Sequence, residues 1–297
     1  MDYLLTVAEH FEAEGDPIYG VSPINEPQWN WGSGWVSQEG CHYSPDEAVA
    51  LLECFAKEMK ARGCDFRLLG PESGQMDWQY IEYEEKFYNS AILREFCDTF
   101  SGHSYWLDGN DGQKIYMADR FRNDYAGMKF EMSEWCELPQ ELDPATIKSG
   151  LCMANVIFED LSIMNAVSWQ SWTAVNGDGL LDLVDGALVK YKRYHIFHQF
   201  SLIPMGAQRV GVLDSLFDRS ELKTLCYVDG RDTYFVIINN TTEEKNVRVK
   251  GAHKTCEIYE TSADKDFSHI FSGKLYRSLV LDPQSVTTVI LRGRTGC

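Results

Sequence analysis

The sequence predicts an α/β fold followed by an antiparallel β-sandwich. In the first two thirds of the chain, short apolar runs alternate five times with amphipathic segments, the pattern of strand and helix units with parallel strands. After Pro204 the pattern changes to short alternating runs separated by Asp-Gly, Asn-Asn-Thr and Asp-Pro turns, which indicates a β-sandwich. With 297 residues and a hydrophobic fraction of 44%, the chain is large enough for two domains. We expect them at residues 1–203 and 204–297.

The first helix and the first strand are predicted close together. Residues 2–14 carry apolar side chains at near-helical spacing and stop at Gly15. Residues 18–22 form a β-branched and aromatic run, and Pro23 and Pro27 follow it. Because proline cannot donate to a strand ladder, the strand must end near residue 22 and lead into a loop.

The second helix has a complete start signal. Ser44 is placed as the cap, Pro45 in the first helical position, and Glu47 as the residue that completes a capping box. This helix is predicted to end at Gly63, and residues 65–70 supply the next strand.

The remaining elements are predicted from the period of their apolar residues. Further helices are expected at 78–97, 143–161 and 191–200, and a helix or irregular segment near 117–124. Further strands are expected at 100–106, 129–134 and 166–172. The β-sandwich strands are expected at 209–214, 223–229, 232–239, 244–250, 255–260, 277–281 and 285–292.

Two glutamates follow predicted strands and lie 108 residues apart, Glu26 and Glu134. The carboxyl ends of parallel strands share one rim, where the active sites of barrel enzymes lie. In the strand 129–134, period two places Glu134 on the face of Phe130 and Met132, and Glu131 on the opposite face.

Two other acids compete less well for a catalytic role. Glu137 lies beyond the strand, and Glu72, which also ends a strand, is interpreted as structural.

Tryptophans cluster after Glu26, at Trp29, Trp31 and Trp35, in a stretch too polar and glycine-rich to be core. Flat apolar rings beside an acid suit a sugar-binding cleft, because pyranoses offer apolar faces to stack and hydroxyls to hydrogen-bond. The alternative is that the indoles only hold the loop together.

Other candidates for substrate-binding residues lie on later predicted strands. His103 and Tyr105 either pack in the interior or orient the catalytic group and line the sugar site. Trp169 and Trp172 share no face by period two, so at most one of them points inward.

Composition excludes several classes of function. A net charge of −18 argues against nucleic acid and anionic membrane surfaces, and no apolar run is long enough to cross a membrane. The nine cysteines form no C-x-x-C pair, and their disulfide pairing cannot be assigned from sequence. No His-Cys-Asp cluster has metal spacing and no glycine-rich loop cradles phosphate, so we expect neither metal nor cofactor.

These motifs resemble glycoside hydrolase family 30. The resemblance is carried by Asn25-Glu26-Pro27, Gln28-Trp29, Ser133-Glu134-Trp135, and by Trp169 with Trp172. It implies a (β/α)8 barrel with a β-sandwich at its side, in which Glu26 closes the fourth strand as acid/base and Glu134 closes the seventh as nucleophile. Gln28-Trp29-Asn30-Trp31 and Gln38-Glu39-Gly40 are similar to the branch of endo-β-1,6-galactanases.

The implied reaction is retaining hydrolysis of a β-linked polysaccharide or oligosaccharide by double displacement. Retention needs carboxyl groups ~5–5.5 Å apart, whereas separations above ~6.5 Å indicate inversion. Glu26 should have a raised pKa and Glu134 should not. Asn25 would bind the hydroxyl next to the anomeric carbon, and the indole near Trp169 would line the cleft.

Only about 25 residues precede Glu26, so the first three barrel strands of the family are missing. We therefore expect a partial barrel of strands 4 to 8, and a carboxyl-terminal portion of a family member that is secreted or extracytoplasmic and monomeric when complete. This chain shows no signal peptide. Two alternatives stay open: a non-catalytic carbohydrate-binding fragment, and specificity of the β-xylanase or glucosylceramidase type.

Overall fold

A computed structural model describes residues 1–32, 38–138, 141–175, 179–212, 220–249, 255–276 and 278–293. The chain forms two compact units. The first comprises Met1–Trp135 and Glu159–Gln170, and the second comprises Cys136–Phe158 and Ser171–Cys297. The domain boundary at 203/204 stays a prediction.

Parallel strands in chain order form the frame of the first unit. Strand β1 (Gly20–Val21) pairs with β2 (Arg67–Leu68), and β3 (Pro71–Ser73), β4 (Thr99–His103) and β5 (Lys129–Glu134) form a three-stranded sheet. The predicted parallel pairing of these strands is confirmed.

The predicted strand 166–172 is reduced to a short parallel contact with β5. Trp169 bridges to Met132, and the Gln170 amide donates to the Met132 carbonyl over 2.9 Å. The segment thus continues the parallel order of the sheet without forming a regular strand.

The helices follow the predicted amphipathic segments. They are α1 (Asp2–Glu14), α2 (Pro45–Arg62), α3 (Glu82–Asn89), α4 (Ala91–Phe96), α5 (Asp111–Asp124) and α6 (Ile147–Ser162). In α2 the capping box of Ser44 and Glu47 is present, as predicted. The single helix expected at 78–97 is wrong, because Ser90 has extended backbone angles and divides α3 from α4.

The two faces of the parallel sheet differ in polarity. On the helix side, Phe100 packs against Phe121 of α5 at 5.3 Å between ring centroids, and Phe121 packs against Phe130 at 5.7 Å. On the other side, the Ser101 hydroxyl donates to Glu131 over 2.7 Å. The apolar face therefore packs in the core of the unit, and the opposite face carries hydrogen-bonded polar side chains.

The second unit contains a hairpin that the sequence analysis missed, β6 (Leu181–Val184) with β7 (Ala187–Lys190), joined by Asp185-Gly186. Both turn residues have positive φ, 51° and 80°, the signature of a two-residue hairpin turn. Helix α7 (Lys192–Ser201) follows, close to its predicted range.

The antiparallel β-sandwich prediction is confirmed for the described residues. In chain order the strands are β8 (Gln208–Arg209), β9 (Leu222–Asp229), β10 (Asp232–Asn239), β11 (Lys245–Val247), β12 (Cys256–Thr261), β13 (Ser268–Gly273), β14 (Leu279–Leu281) and β15 (Ser285–Leu291). Six of them form a sheet in the order β13-β12-β15-β10-β9-β8, and β11 pairs with β14. Ile237, Ile258 and Val289 from the large sheet share a buried core with Leu279 and Leu281 of β14.

Two differences from the predicted strands of the sandwich stand out. Strand β13 was not predicted. The predicted strands 209–214, 244–250 and 277–281 fall partly outside the described residues. None of the described helices has the length and apolar composition of a membrane span.

Candidate active site

Three glutamates converge on one histidine in the first unit. His103 Nδ1 lies 3.1 Å from Glu26 Oε1 and 3.7 Å from Glu134 Oε1. His103 Nε2 lies 3.5 Å from Glu72 Oε2. One oxygen of Glu26 and one oxygen of Glu134 lie within 4.8 Å of each other. The structure therefore brings the two predicted glutamates together.

Each of these side chains comes from the end of a strand or the loop after it. His103 ends β4 and Glu134 ends β5, whereas Glu26 follows β1. The Glu26 amide donates to the Glu72 carbonyl over 2.9 Å, and Glu26 has a positive φ of 47°. This contact ties the loop to β3 and aims the Glu26 carboxylate at the histidine.

A register shift between β4 and β5 corrects the predicted faces of β5. Ser101 pairs with Glu131, but His103 pairs with Glu134, so one extra residue of β5 is accommodated there. Ser133 also donates a hydrogen bond to Glu72. Glu134 therefore lies on the polar face with Glu131. The prediction that Glu134 shares a face with Phe130 is wrong, because the extra residue of the bulge reverses the alternation of the side chains that follow it.

The histidine carries positive charge in this setting. Burial alone would lower its pKa, but hydrogen bonds to Glu26 and Glu72 and the charge of Glu134 outweigh burial and raise the pKa of His103 to about 9. At neutral pH an imidazolium thus lies among three carboxyl groups and offsets part of their mutual repulsion.

Burial raises the pKa of Glu134 above its ordinary value, which is opposite to the direction expected for a nucleophile. The charge of His103 and a hydrogen bond from the Tyr105 hydroxyl, 3.0 Å from Glu134 Oε1, act in the other direction. Glu134 is the most exposed of the four polar side chains, at 18% against 5% for Glu26 and 1% for His103. Its carboxylate is the one most open to a substrate.

The same three side chains could offer ligand atoms to a metal ion. One atom each from Glu26, His103 and Glu134 lies within 4.8 Å of the others. An imidazole must be deprotonated to bind a metal, and the surrounding carboxylates favour the protonated ring.

Two of the predicted tryptophans build a wall beside Glu26. The Trp31 indole donates to Glu26 Oε2 over 2.7 Å. Trp29 packs edge-on against Trp31 at 5.3 Å and against Trp106 at 5.0 Å, and its Nε1 donates to the Tyr80 hydroxyl over 3.3 Å. Trp31 thus stabilises the loop after β1 and also fixes the Glu26 carboxylate. Trp35 lies outside the described residues.

Close packing in this wall depends on Gly74. A Cβ at this position would lie 2.6 Å from Glu26 Oε1 and 2.8 Å from a ring carbon of Trp29. A side chain at residue 74 would displace the carboxylate or the indole. The segment Glu72-Ser73-Gly74 therefore contributes the Glu72 side chain to the site, and its backbone at Gly74 leaves room for Glu26 and Trp29.

Asn25 and Tyr105 have different positions relative to the cluster. Tyr105 is buried and packs against His103 at 5.6 Å, in addition to its bond to Glu134. Asn25 is exposed, and its backbone exchanges hydrogen bonds with the Cys41 thiol. Within the described residues, the Asn25 side chain has no hydrogen bond to the carboxylates, so its role in substrate binding stays a prediction.

Trp169 is positioned by a second buried polar cluster. Its indole donates to Asp160 over 2.9 Å and packs against Trp135 at 5.8 Å. Asp160 also accepts a hydrogen bond from Ser104, the neighbour of His103. Trp172 belongs to the second unit, where it is 52% exposed, and its role stays a prediction.

Trp106 is the residue of the site that sequence reasoning missed. Glu72, which the sequence analysis interpreted as structural, lies within β3 and contacts His103. Trp106 directly follows Tyr105, so its nearness to the site could have been suspected from the predicted strand end.

The chain matches known proteins over most of its length. The sequence profile of O-glycosyl hydrolase family 30 matches residues 1–184, which is more than half of the chain. This chain belongs to glycoside hydrolase family 30. Glu26 and Glu134, from the motifs that carry the resemblance, are the glutamates that the fold brings together around His103.

A relative with an assigned activity is an endo-β-1,6-galactanase from Hypocrea rufa. It is 22% identical over 179 residues, which cover 60% of this chain and 34% of that enzyme. The chain thus spans about a third of the length of this family 30 relative.

Solved structures share the fold. A conserved exported protein from Bacteroides fragilis has a TM-score of 0.84 at 23% identity, over 97% of this chain and 68% of that protein. A family 30 endoxylanase from Clostridium papyrosolvens has a TM-score of 0.76 at 20% identity, over 98% of this chain and 70% of that enzyme.

Proposed function

We propose that this chain carries the catalytic pair of a retaining glycoside hydrolase that cuts β-linked polysaccharide. The observation that carries the proposal is the approach of Glu26 and Glu134, with one oxygen of each within 4.8 Å. Retaining enzymes separate their carboxyl groups by ~5–5.5 Å, and inverting enzymes need ~6.5–9.5 Å to admit a water molecule.

The exposures of the two acids support different roles. Glu134, the more exposed, attacks the anomeric carbon as a carboxylate and forms the glycosyl ester. Glu26, which is held by Trp31 and His103, gives its proton to the departing glycosidic oxygen and later takes one from the attacking water. His103 keeps the two carboxyl groups close by lowering the repulsion between them.

The substrate we propose is a β-1,6-linked galactan, cut within the chain. The sequence match to the Hypocrea rufa endo-β-1,6-galactanase supports this choice. The family 30 endoxylanase from Clostridium papyrosolvens makes β-xylan the second candidate, supported by likeness of fold alone. The name of the Bacteroides fragilis protein supports an extracytoplasmic place of action.

We also propose that the parallel segments of the first unit correspond to strands 4 to 8 of a (β/α)8 barrel, in the order β1, β2 with β3, β4, β5 and the segment around Trp169. Their order along the chain and the position of the acids at their carboxyl ends support this assignment. The β-sandwich of the second unit corresponds to the side domain of the family.

The test is hydrolysis by the wild-type chain and two variants. Reducing-sugar release should be measured from β-1,6-galactan, β-1,4-xylan and β-1,6-glucan, with exposed Glu14→Gln as the matched control. We expect galactan to be cut fastest and Glu134→Gln to reduce turnover below detection without lowering the melting temperature.

Glu26→Gln should differ from Glu134→Gln in its substrate dependence. Loss of a general acid costs about 10²–10⁴-fold on natural linkages. The loss should be much smaller on an aryl galactoside with an acidic leaving group, which departs without a proton. Undiminished hydrolysis by Glu134→Gln would remove the catalytic assignment, and sugar binding without turnover in the wild type would support a carbohydrate-binding role instead.

A further inference from the structure

A cavity of about 440 Å³ lies in the first unit, apart from the carboxylates. Its lining consists of Trp78, Asn110, Gly112, Gln113 and Tyr116. Small-molecule sites in proteins are typically ~300–1,000 Å³, so the cavity is large enough for one sugar ring.

Two aromatic side chains of this lining are exposed. The Trp78 side chain is 53% exposed and Tyr116 is 41% exposed. Leaving an indole and a phenol in water costs free energy that a stacking partner would recover. Both rings open on the same cavity, which indicates a common ligand.

The polar part of the lining is also suited to a sugar. Asn110 and Gln113 carry amides, which both donate and accept hydrogen bonds, as hydroxyl groups require. Gly112 leaves room at the cavity, because a Cβ there would meet only the Asn110 side chain, at 3.8 Å. None of the lining side chains is charged at neutral pH, so the cavity favours a neutral ligand over an ion.

Two loops that carry side chains of the aromatic wall also carry lining residues of this cavity, and the other lining residues lie in α5. In the loop after β3, Tyr80 accepts a hydrogen bond from Trp29, and Trp78 precedes it by two residues. In the loop after β4, Trp106 packs against Trp29, and Asn110 follows four residues later. Trp78 and Asn110 therefore lie within four residues of side chains that contact Trp29, which itself packs against the indole bound to Glu26.

We propose that this cavity is a distal subsite, which binds a pyranose unit of the substrate chain away from the bond that is cut. This proposal rests on the proposed function, since it assumes a saccharide substrate. The distal sugar stacks on Trp78, Tyr116 closes the cavity, and the amides of Asn110 and Gln113 bind its hydroxyls.

The test is the dependence of affinity on saccharide length. In the non-hydrolysing Glu134→Gln background, titration calorimetry should be performed with β-1,6-galacto-oligosaccharides of two to eight units and with β-1,4-xylo-oligosaccharides. We expect Trp78→Ala to weaken the binding of the longest oligosaccharides by about tenfold and to leave the disaccharide unaffected. Gln113→Ala should act in the same direction, and Tyr276→Ala, at a 77% exposed tyrosine of the second unit, is the control.

The same variants should be measured in the active chain. KM for polysaccharide should rise in Trp78→Ala, with kcat/KM for a short aryl galactoside unchanged. Equal effects on long and short ligands, or no length-dependent binding by any oligosaccharide, would overturn the subsite. Absence of hydrolysis by the wild type would instead overturn the proposed function, because the binding experiment does not depend on turnover.

Discussion

His103 is the residue that allows three glutamates to share a buried site. Two carboxylates with oxygens within 4.8 Å repel strongly in a low-dielectric interior, and a protonated imidazole between them lowers that cost. Since Glu72 accepts a hydrogen bond from Ser133 and contacts His103 Nε2, it fixes the ring from the side opposite Glu26 and Glu134.

Burial and the charge of His103 have the largest effects on the pKa of Glu134, and the hydrogen bond from Tyr105 lowers this pKa further. Burial raises the pKa of Glu134, so the acid limb of kcat/KM should lie above pH 4.5, the ordinary value, and activity should fall as pH decreases through it. Tyr105→Phe removes a hydrogen bond that favours the carboxylate, so the limb should move to higher pH. The measurement is kcat/KM against pH for the variant, the wild type and the exposed-site control Tyr3→Phe.

A limb that stays in place in Tyr105→Phe, or moves to lower pH, would contradict this assignment. A uniform loss of activity at all pH values would show that the hydroxyl positions the substrate and does not stabilise the carboxylate.

The three glutamates of the site show which features a local sequence pattern can predict and which it cannot. Glu26 and Glu134 were predictable because each follows a strand signal within a few residues. The role of Glu72 was not, because it depends on a hydrogen bond to Ser133, 61 positions away. The face of Glu134 was misjudged because a bulge is set by pairing with β4 and not by the sequence of β5 alone.

At the scale of elements, α5 and α6 are joined by a buried ion cluster. Lys114 of α5 has no exposed surface, and its Nζ lies 3.1 Å from Glu159 and 2.9 Å from Asp160, both on α6. Because Asp160 also binds Ser104 and Trp169, this cluster connects the helices to the strand ends that carry the site.

Removing the Lys114 charge should destabilise the first unit strongly. Lys114→Met leaves Glu159 and Asp160 buried without a cation, which typically costs about 3–5 kcal/mol of unfolding free energy. The measurement is urea unfolding, with Lys57→Met at a 61% exposed side chain as the control. A loss below about 1 kcal/mol, the size typical of a surface ion pair, would show that the cluster does not stabilise the unit.

Elements with local signals were predicted well. Helix α2 was correct because its capping box lies within four residues, and helix α1 ended as expected at Gly15, which has a positive φ of 93°. Strand β13 was missed because its apolar run is only two residues long, Ile270 and Phe271, between polar residues. Such a short run gives no clear alternating pattern.

At the scale of the whole molecule, the match in sequence and the match in structure are evidence for different properties of the chain. The sequence profile over residues 1–184 shows the family, and the solved structures, all cited here at 23% identity or less, show the fold. Short alternating runs between turn residues predicted the β-sandwich. The hairpin β6–β7 was missed, although Asp185-Gly186 is a recognised hairpin signal.

The stereochemistry of hydrolysis tests the central claim most directly, because it depends on the separation of Glu26 and Glu134. Proton NMR should follow the anomeric signals during the first minutes of cleavage of a β-1,6-galacto-oligosaccharide, before mutarotation mixes them. We predict that the β-anomer appears first, as double displacement by Glu134 requires. Initial appearance of the α-anomer would show inversion and would contradict the account of two closely placed glutamates acting in turn.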